Sequence, residues 1–463
     1  MPSRPMTRSS ASLAIAVLLC VLASAACGRQ PPPLILLVTV DTLRADRLGA
    51  YGSPLELTPN LDRLASESVV FEQAVTPAPF TLAALGALHT GRYPEELGIG
   101  TNASILPDDV DTLATLLHAD GWRTGAVTSN YVLGAQTGIA RGFERYDHEL
   151  TTRERNRGVA DRAGEDTTRA AVRMLDALRA ERDERIFLWV HYQDPHGPYT
   201  PPAACSAPPG PPPEGVVDGI LPVAKNQRGF DAIPRYQALG DEQQTLAYRA
   251  AYDGEVRCVD RAIGTLLDAV RSRGLLDGAL VLFTADHGES LGEGGVWYSH
   301  GTQLDAAQLR VPLFLRMPGR SPERRAEVAS LLDVAPTLLA RIGVPAPESA
   351  HGRDLLASGA GEQSRTVLLS TLDEALPERR VGIVADGYRY VMVLQGRGPK
   401  ERLTRLGAEL EDLAAAQLQR AGAMRLQLTA GFAGLASRRP ARTLELSAQE
   451  KERLRALGYV HDP

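Results

Sequence analysis

Two short apolar runs that end in metal-ligating side chains constrain this chain of 463 residues more than any other feature. Residues 34–40 read LILLVTV and precede Asp41, whereas residues 279–285 read ALVLFTA and precede Asp286 and His287. Runs that are short and apolar throughout are typical of strands buried on both faces of a parallel sheet. The carboxyl ends of such strands form the edge at which open α/β sheets build their sites. We therefore expect Asp41, Asp286 and His287 to meet there as ligands of one metal ion.

The remainder of the chain alternates between strand-like and helix-like segments. Strand-like runs occupy residues 124–129 and 186–190, and helical spacing is present in residues 112–118, 167–179 and 248–271. This alternation predicts an α/β fold with a mostly parallel sheet between helices, in a catalytic domain over residues 31–358. From residue 359 to 463 the pattern changes to strands around an Asp386-Gly387 turn and then to helices, which indicates a smaller α+β subdomain.

The N-terminal 27 residues have the composition of an export signal. Basic residues precede the apolar run 13–23, which is too short to span a membrane, and the sequence Ser24-Ala-Ala-Cys27 follows. Small residues before a cysteine resemble a bacterial lipobox, which predicts a lipid on Cys27 and a periplasmic or cell-surface protein. Cleavage after Ala25, giving a protein without an anchor, is the alternative. An oxidising compartment would permit a disulfide between Cys205 and Cys258.

The charge composition limits the partners and the chemistry. A net charge of −6 gives no support for nucleic-acid binding, and the predicted lipid anchor is the one expected contact with a membrane. Of the 50 basic residues, Lys225, Lys400 and Lys451 are the lysines, and arginine supplies the rest. A mechanism that requires a lysine therefore has few candidates in this chain.

Several segments together resemble the sulfatase family of the alkaline phosphatase superfamily. They include TVDTLRADRLGAYG (39–52), HYQDPHGPYTPP (191–202) and TADHGESLGEGG (284–295), in the order that the family shows. The resemblance implies an alkaline phosphatase-like fold and a metal-dependent hydrolase of sulfuric or phosphoric esters. It also implies one divalent ion (Ca²⁺, Mg²⁺, Mn²⁺ or Zn²⁺) and a substrate that is a small molecule, glycan or lipid headgroup carrying an anionic ester.

Thr81 is the point at which the chain departs from a typical sulfatase. In that family a cysteine or serine in the motif C/S-x-P-x-R becomes formylglycine, whereas the matching residues here are Thr81-Leu-Ala-Ala-Leu85. Threonine resembles instead the nucleophile of the superfamily's phosphodiesterases and phosphoryl-group transferases. Helical spacing in residues 81–90 after Pro79 also places Thr81 at or near an N-cap, where the helix attracts anions. A purely capping role for Thr81 is the alternative.

The resemblance supplies further site residues. His196 matches a position for a catalytic histidine, and His300 and His191 match positions that bind the anionic group. Asn130 stands where sulfatases carry a cation, and Arg92 is a basic residue that either supports the site or braces its own loop. Because expected cations are missing, a singly charged phosphodiester or phosphonate monoester fits better than a doubly charged monoester.

The sequence leaves three interpretations of the function and two of one loop open. The chain is a hydrolase that uses Thr81, a transferase that passes the group to an acceptor alcohol, or a degenerate member that binds anions without turnover. The residues that motivate the degenerate reading are Leu85 and Asn130. Residues 195–213 contain nine prolines, which predicts an irregular extended loop. That loop either roofs the site or serves as a surface connection.

Overall fold

The computed structural model describes residues 32–153, 160–180, 185–225, 229–359, 365–372, 376, 378–394, 400–435 and 439–451. The predicted export signal and Cys27 lie outside the described residues, as do residues 452–463 at the end of the predicted C-terminal subdomain. Among the helices that the structure describes, none is long and apolar enough to cross a membrane.

The strands and helices follow the predicted alternation. The strands are β1 Leu34–Val40, β2 Val69–Val75, β3 Arg123–Thr128, β4 Arg145–Asp147, β5 Thr152–Arg153, β6 Ala160–Asp161, β7 Ile186–Tyr192, β8 Leu280–Ala285, β9 Ser290–Leu291, β10 Trp297–Ser299, β11 Leu313–Arg316, β12 Glu323–Ser330, β13 Val367–Ser370, β14 Arg380–Ala385, β15 Tyr388–Val393 and β16 Glu401–Arg405. The α-helices are α1 Pro59–Ser66, α2 Thr81–Thr90, α3 Pro94–Leu97, α4 Leu113–Ala119, α5 Gly164–Arg179, α6 Thr245–Ser272, α7 Ala306–Leu309, α8 Val334–Ile342 and α9 Leu418–Gly434.

The main sheet has eight strands in the order β12-β2-β11-β8-β1-β7-β3-β4. Strands β8, β1, β7, β3 and β4 are parallel to one another, β2 is parallel to β12, and β11 is antiparallel to both of its neighbours. Every residue of β1, β7 and β8 is buried, which explains why these segments are apolar along their whole length. The prediction of a mostly parallel sheet is confirmed.

Two groups of helices pack beside this sheet. One group contains α1, α5 and α6, and the other contains α2, α4 and α8. This is the arrangement that buries both faces of a parallel sheet, and it leaves the carboxyl ends of the strands as the place for a site.

A second sheet lies towards the C-terminus. Strands β13 to β16 form an antiparallel four-stranded sheet, against which α9 packs through Met424 and Leu428. The predicted hairpin turn is present, with φ of 51° at Asp386 and 78° at Gly387, both of which are positive as a type I′ turn requires. The prediction of a small α+β subdomain is confirmed, although β16 did not stand out in the sequence.

The segment between β7 and α6, residues 193–244, is named here the β7–α6 insertion. It contains the proline-rich loop, and a disulfide between Cys205 and Cys258 joins it to α6 with a Cα–Cα distance of 5.4 Å. The guanidinium of Arg249, which is 1% exposed, pairs with Asp218 and donates to the carbonyl of Gly210 at 2.8 Å. These contacts fasten the insertion along one helix.

Candidate active site

The register between β1 and β8 brings the three predicted metal ligands together. Val40 is paired with Ala285, so the next residues, Asp41 and Asp286, emerge side by side. The Nε2 atom of His287 lies 3.7 Å from Asp41 Oδ1 and 3.6 Å from Asp286 Oδ2. All three side chains are fully buried, and their ligand atoms lie within 4.8 Å of one another.

Hydrogen bonds fix the orientation of these side chains and leave one face of the cluster unused. The backbone N–H groups of Thr42 and His287 donate to Asp286 Oδ1 at 3.2 and 2.7 Å, whereas within the described part of the chain Asp286 Oδ2 and Asp41 Oδ1 have no hydrogen-bond partner. His287 Nδ1 lies 3.0 Å from the carbonyl oxygen of Gly288. Because a carbonyl can only accept, Nδ1 carries the proton and the lone pair of Nε2 faces the carboxylates.

The electrostatics of the cluster also fit a cation. Burial raises the pKa of Asp41 well above its usual value, and the charge of Glu289 raises it further. Burial and the neighbouring Asp41 raise the pKa of Asp286 to about 6, while burial lowers the pKa of His287 to about 4. Two carboxylates that resist ionisation side by side, next to a neutral imidazole, are stabilised when a divalent cation neutralises them. The donor set therefore fits one divalent ion.

Thr81 lies beside this cluster. It is the first residue of α2, while Phe80 occupies the N-cap position, so the expected cap is displaced by one residue. The Thr81 side chain is fully buried, and its Oγ1 atom lies 3.5 Å from His287 Nε2. A residue that sequence reasoning missed, Asn102, accepts the N–H of Leu82 through Oδ1 at 2.9 Å and so holds the start of the helix. Asn102 lies in an irregular loop, where no periodic pattern marked it.

Asn130 and His191 support Asp41. Asn130 follows β3 and donates through Nδ2 to Asp41 Oδ2, while its own Oδ1 accepts the N–H of Val132 at 2.9 Å. His191 lies within β7, with Nδ1 2.8 Å from Thr39 Oγ1 and Nε2 3.9 Å from Asp41 Oδ2. Burial lowers the pKa of His191 to about 4, so the ring is neutral near pH 7. Both side chains are fully buried beside Asp41, but only that of Asn130 is within hydrogen-bond distance of it.

His300 and His196 form the other side of the site. The ring of His300 lies 4.5 Å from that of His287 and 5.1 Å from that of His196, measured between centroids. His300 Nδ1 is 3.2 Å from Glu289 Oε1, and the Tyr199 hydroxyl donates to Glu289 Oε2 at 3.0 Å. Burial lowers the pKa of His300 to about 3 and raises that of Glu289 to about 8. Glu289 and Tyr199 were missed as site residues, although both lie in the segments quoted above.

Comparison with known proteins identifies the family of this chain. The family model described as Sulfatase matches residues 33–344, which is more than half of the chain. The chain belongs to the sulfatase family.

The individual relatives and solved structures resemble this chain at low sequence identity. An ulvan-active sulfatase from Formosa agariphila is 24% identical over 343 residues, which are 70% of this chain and 64% of that protein, so the chain spans less than two thirds of it. Bovine arylsulfatase A is 27% identical over 416 residues, 76% of this chain and 73% of the relative. The structure of a phosphonate monoester hydrolase from Silicibacter pomeroyi superimposes with a TM-score of 0.69 at 19% identity, covering 90% of this chain and 99% of the other. These relatives are named as sulfuric or phosphonic ester hydrolases.

One residue expected at the site of this sulfatase-family chain lies elsewhere. Arg92 comes after the C-terminal end of α2, a helix of 10 residues that begins at Thr81. At 1.5 Å per residue the helix separates the two by roughly 15 Å. Arg92 Nε lies 3.9 Å from Glu96, whose carboxylate also contacts His351 at 2.8 Å. The expectation that Arg92 supports substrate binding is therefore corrected: it braces the loop beyond the helix.

Proposed function

We propose that this sulfatase-family protein is a metal-dependent ester hydrolase that uses Thr81 as its nucleophile and acts on a singly charged phosphodiester or phosphonate monoester. The observation that carries the proposal is the position of Thr81. Its Oγ1 lies 3.5 Å from His287 Nε2, at the start of α2 and beside Asp41 and Asp286. A hydroxyl in this place is available for activation, and the helix N-terminus favours an anion.

Asp41, Asp286 and His287 would hold the divalent ion. Bound there, it would lower the pKa of a nearby hydroxyl and stabilise negative charge on the ester oxygens. Asn130 keeps Asp41 oriented by donating to its Oδ2, and the backbone N–H groups of Thr42 and His287 do the same for Asp286. These bonds leave the remaining carboxylate oxygens directed into the cluster.

The chemistry divides into two steps. In the first, the Thr81 hydroxyl gives its proton to solvent and its oxygen forms a bond to phosphorus, while the P–O bond to the alcohol breaks and the leaving oxygen takes a proton from protonated His196. In the second, water attacks phosphorus and gives a proton to the now neutral His196, while the P–O bond to Thr81 breaks and the threonine oxygen takes a proton from solvent, which restores the hydroxyl. His300 binds the anionic oxygens, since its ring lies between those of His287 and His196.

The charge around the site supports a singly charged substrate. Burial keeps His191 and His300 neutral near pH 7, and Arg44, which follows Asp41 in the chain, pairs with Asp46 and Glu293 at 2.6 Å each. Each charge-assisted hydrogen bond that is missing costs about 1.5–3 kcal/mol of binding to an extra negative charge. A doubly charged monoester therefore binds less well than a monoanion.

A substrate panel tests the proposal. Purified protein is assayed with an aryl sulfate, an aryl phosphomonoester, an aryl phosphodiester and an aryl phosphonate monoester, each with added Mn²⁺ and with a chelator. We expect turnover of the last two, lost on chelation. Faster turnover of the aryl sulfate would overturn the preference for phosphorus, and no turnover in metal-replete protein would leave an anion-binding role.

Variants at Thr81 test the nucleophile. Thr81→Val keeps the shape and removes the hydroxyl, so we expect a loss of kcat on the order of a thousandfold or more. Mass spectrometry should detect, in the wild type only, a phosphoryl or phosphonyl group on Thr81 that still carries the substrate's second substituent. Thr90→Val is the matched control, because it removes a hydroxyl from the other end of the same helix, where Oγ1 donates to the Gly86 carbonyl at 2.7 Å. Equal losses in both variants would show that the helix, not the nucleophile, had been damaged.

The proposal also covers the cellular compartment in which the protein works. A disulfide between Cys205 and Cys258 is typical of oxidising compartments, which agrees with the export signal read in the sequence. We infer export and a lipid on Cys27. Labelling cells with a radioactive fatty acid should mark the wild-type protein and not Cys27→Ala, and a wild type that takes up no label would support cleavage after Ala25.

A further inference from the structure

Gln237 occupies the junction of the two segments that carry His196 and His300. It belongs to the β7–α6 insertion, and its side chain is fully buried. Its Nε2 donates to the carbonyl oxygen of Tyr298 at 3.1 Å, whereas its buried Oε1 has no hydrogen-bond partner among the residues that the structure describes. Burying an amide whose oxygen makes no hydrogen bond destabilises the folded protein. The position of Gln237 therefore calls for an explanation.

On one side, the amide lies against the backbone that follows His196. A Cβ placed on Gly197 would lie 1.9 Å from Gln237 Oε1 and 2.1 Å from Nε2, so any larger residue at this position would displace the amide. The carbonyl of Gly197 is 2.9 Å from His196 Nδ1 and thus fixes the imidazole. A shift of the Gln237 amide is therefore transmitted to the backbone that orients His196.

On the other side, the amide holds a strained residue two positions before His300. Tyr298 is fully buried and has φ of 47°, a conformation that costs a non-glycine residue about 1–3 kcal/mol and persists only where the surroundings impose it. The Tyr298 carbonyl accepts from Gln237 Nε2 and from the Tyr236 hydroxyl at 3.1 and 2.9 Å, and its own hydroxyl donates to the Thr245 carbonyl at 2.7 Å. Two of these three contacts come from the insertion.

We propose that Gln237 is a positioning residue that fixes His196 and His300 relative to each other. The ring centroids of these histidines are 5.1 Å apart, and Gln237 is in contact with the backbone beside each of them. The inference rests on the proposed function, since it assigns a purpose to the two histidines of that site. It also gives the β7–α6 insertion a role beyond covering the surface: the disulfide and the Arg249 contacts that attach the insertion to α6 hold Gln237 in place.

The first test is a double-mutant cycle. Gln237→Ala is expected to lower kcat about ten- to hundredfold, the size of effect that a displacement of about 1 Å produces, and to weaken the binding of inorganic phosphate, because His300 binds the anionic oxygens. In a background that carries both His196→Ala and His300→Ala the same substitution should change either quantity less than about twofold, because both residues that Gln237 positions are already gone. Gln243→Ala, at an exposed glutamine of the same insertion, is the control and should match the wild type.

A second cycle uses the close contact with Gly197. Gly197→Ala alone should lower kcat as Gln237→Ala does, because the new methyl group displaces the amide. In the Gln237→Ala background the space is free, so adding Gly197→Ala should cost less than about twofold. Melting temperature and Mn²⁺ affinity are measured for every variant, and a folding defect would lower both together with kcat.

The cycles are repeated with affinity for inorganic phosphate as the readout. A wild type that turns over no ester would contradict the proposed function, while the phosphate cycles would still decide the role of Gln237. Independent, additive losses in both cycles, or wild-type behaviour of Gln237→Ala, would overturn the positioning role.

Discussion

Replacing Asp286 by asparagine should stabilise the metal-free protein at pH 7 while abolishing the stabilisation that a metal provides. Asparagine can keep the two hydrogen bonds that Oδ1 accepts from the N–H groups of Thr42 and His287. The substitution changes the other atom, Oδ2, which has no hydrogen-bond partner and faces Asp41 and His287. The variant thus removes a buried charge without removing the bonds that orient the side chain.

The expected magnitude comes from the pKa of Asp286. Burial first, and then the charge of Asp41, raise it from 3.8 to about 6 in the folded protein. A tenfold change in proton affinity corresponds to about 1.4 kcal/mol, so ionised Asp286 destabilises the fold by about 3 kcal/mol. Because the folded pKa is the higher one, this penalty is absent below pH 3.8, grows between pH 3.8 and 6, and is complete above pH 6.

Urea unfolding measures this difference. Chelator-treated wild type and Asp286→Asn are compared at pH 4, 5.5 and 7, and again with Mn²⁺. We expect the variant to be more stable by about 3 kcal/mol at pH 7 and by almost nothing at pH 4. With Mn²⁺ the order reverses, since only the wild type retains all three ligands and gains binding free energy.

A control separates this effect from the general consequence of changing aspartate to asparagine. Asp46, which is partly exposed, pairs with Arg44 at 2.6 Å, and this cation holds the pKa of Asp46 below its usual value. Asp46→Asn should therefore destabilise the protein at neutral pH, with or without metal. If Asp286→Asn proves less stable than metal-free wild type at pH 7, or if its advantage is the same at pH 4, the electrostatic account of the cluster is wrong.

Three further predictions concern the supports of the site. Asn130→Ala should lower metal affinity about ten- to a hundredfold by calorimetry, because it removes the donor that orients Asp41; unchanged affinity would reject that role. Reducing the bridge between Cys205 and Cys258, which are 53 residues apart, should lower the free energy of unfolding by about 4 kcal/mol in the chain-entropy model, as measured in urea with and without reductant. Arg92→Ala should leave kcat/KM within about twofold, and a loss above tenfold would restore Arg92 to the site.

The part of the site that the sequence predicts is the part that strand geometry dictates. Asp41 and Asp286 each follow an apolar run, and parallel pairing of two such runs leaves little freedom for the residues that come next. The helix over residues 81–90 could also be predicted from the sequence, since it begins after a proline and ends before Gly91, which has φ of 68°.

Residues whose role depends on tertiary packing could not be predicted from the sequence in this way. Asn102 holds the start of α2 from an irregular loop, and Gln237 reaches the site from the single-turn 3-10 helix Arg235–Gln237 of the β7–α6 insertion. Arg92 shows the opposite error: the family pattern suggested that Arg92 lies near the site, but a rigid helix about 15 Å long separates it from Thr81. A pattern along the chain gives the direction of a side chain within one element, and it does not give distances between elements.

The distribution of charge gives the proposed chemistry a specific dependence on conditions. A site that bound its anion through lysines and arginines would lose affinity steadily with salt, because exposed cations are screened. Here the nearby imidazoles of His191 and His300 are neutral, and the carboxylates are buried. The attraction for a substrate anion then comes from the bound metal and from the N-terminus of α2, both inside the protein where screening is weak. We therefore expect kcat/KM to change little between 50 and 500 mM NaCl, on the order of twofold, and to fall at acidic pH, where protonation of the carboxylate and imidazole ligands competes with the metal. A strong salt dependence with weak dependence on pH would place the binding of the anion on surface cations and remove the argument for a monoanionic substrate.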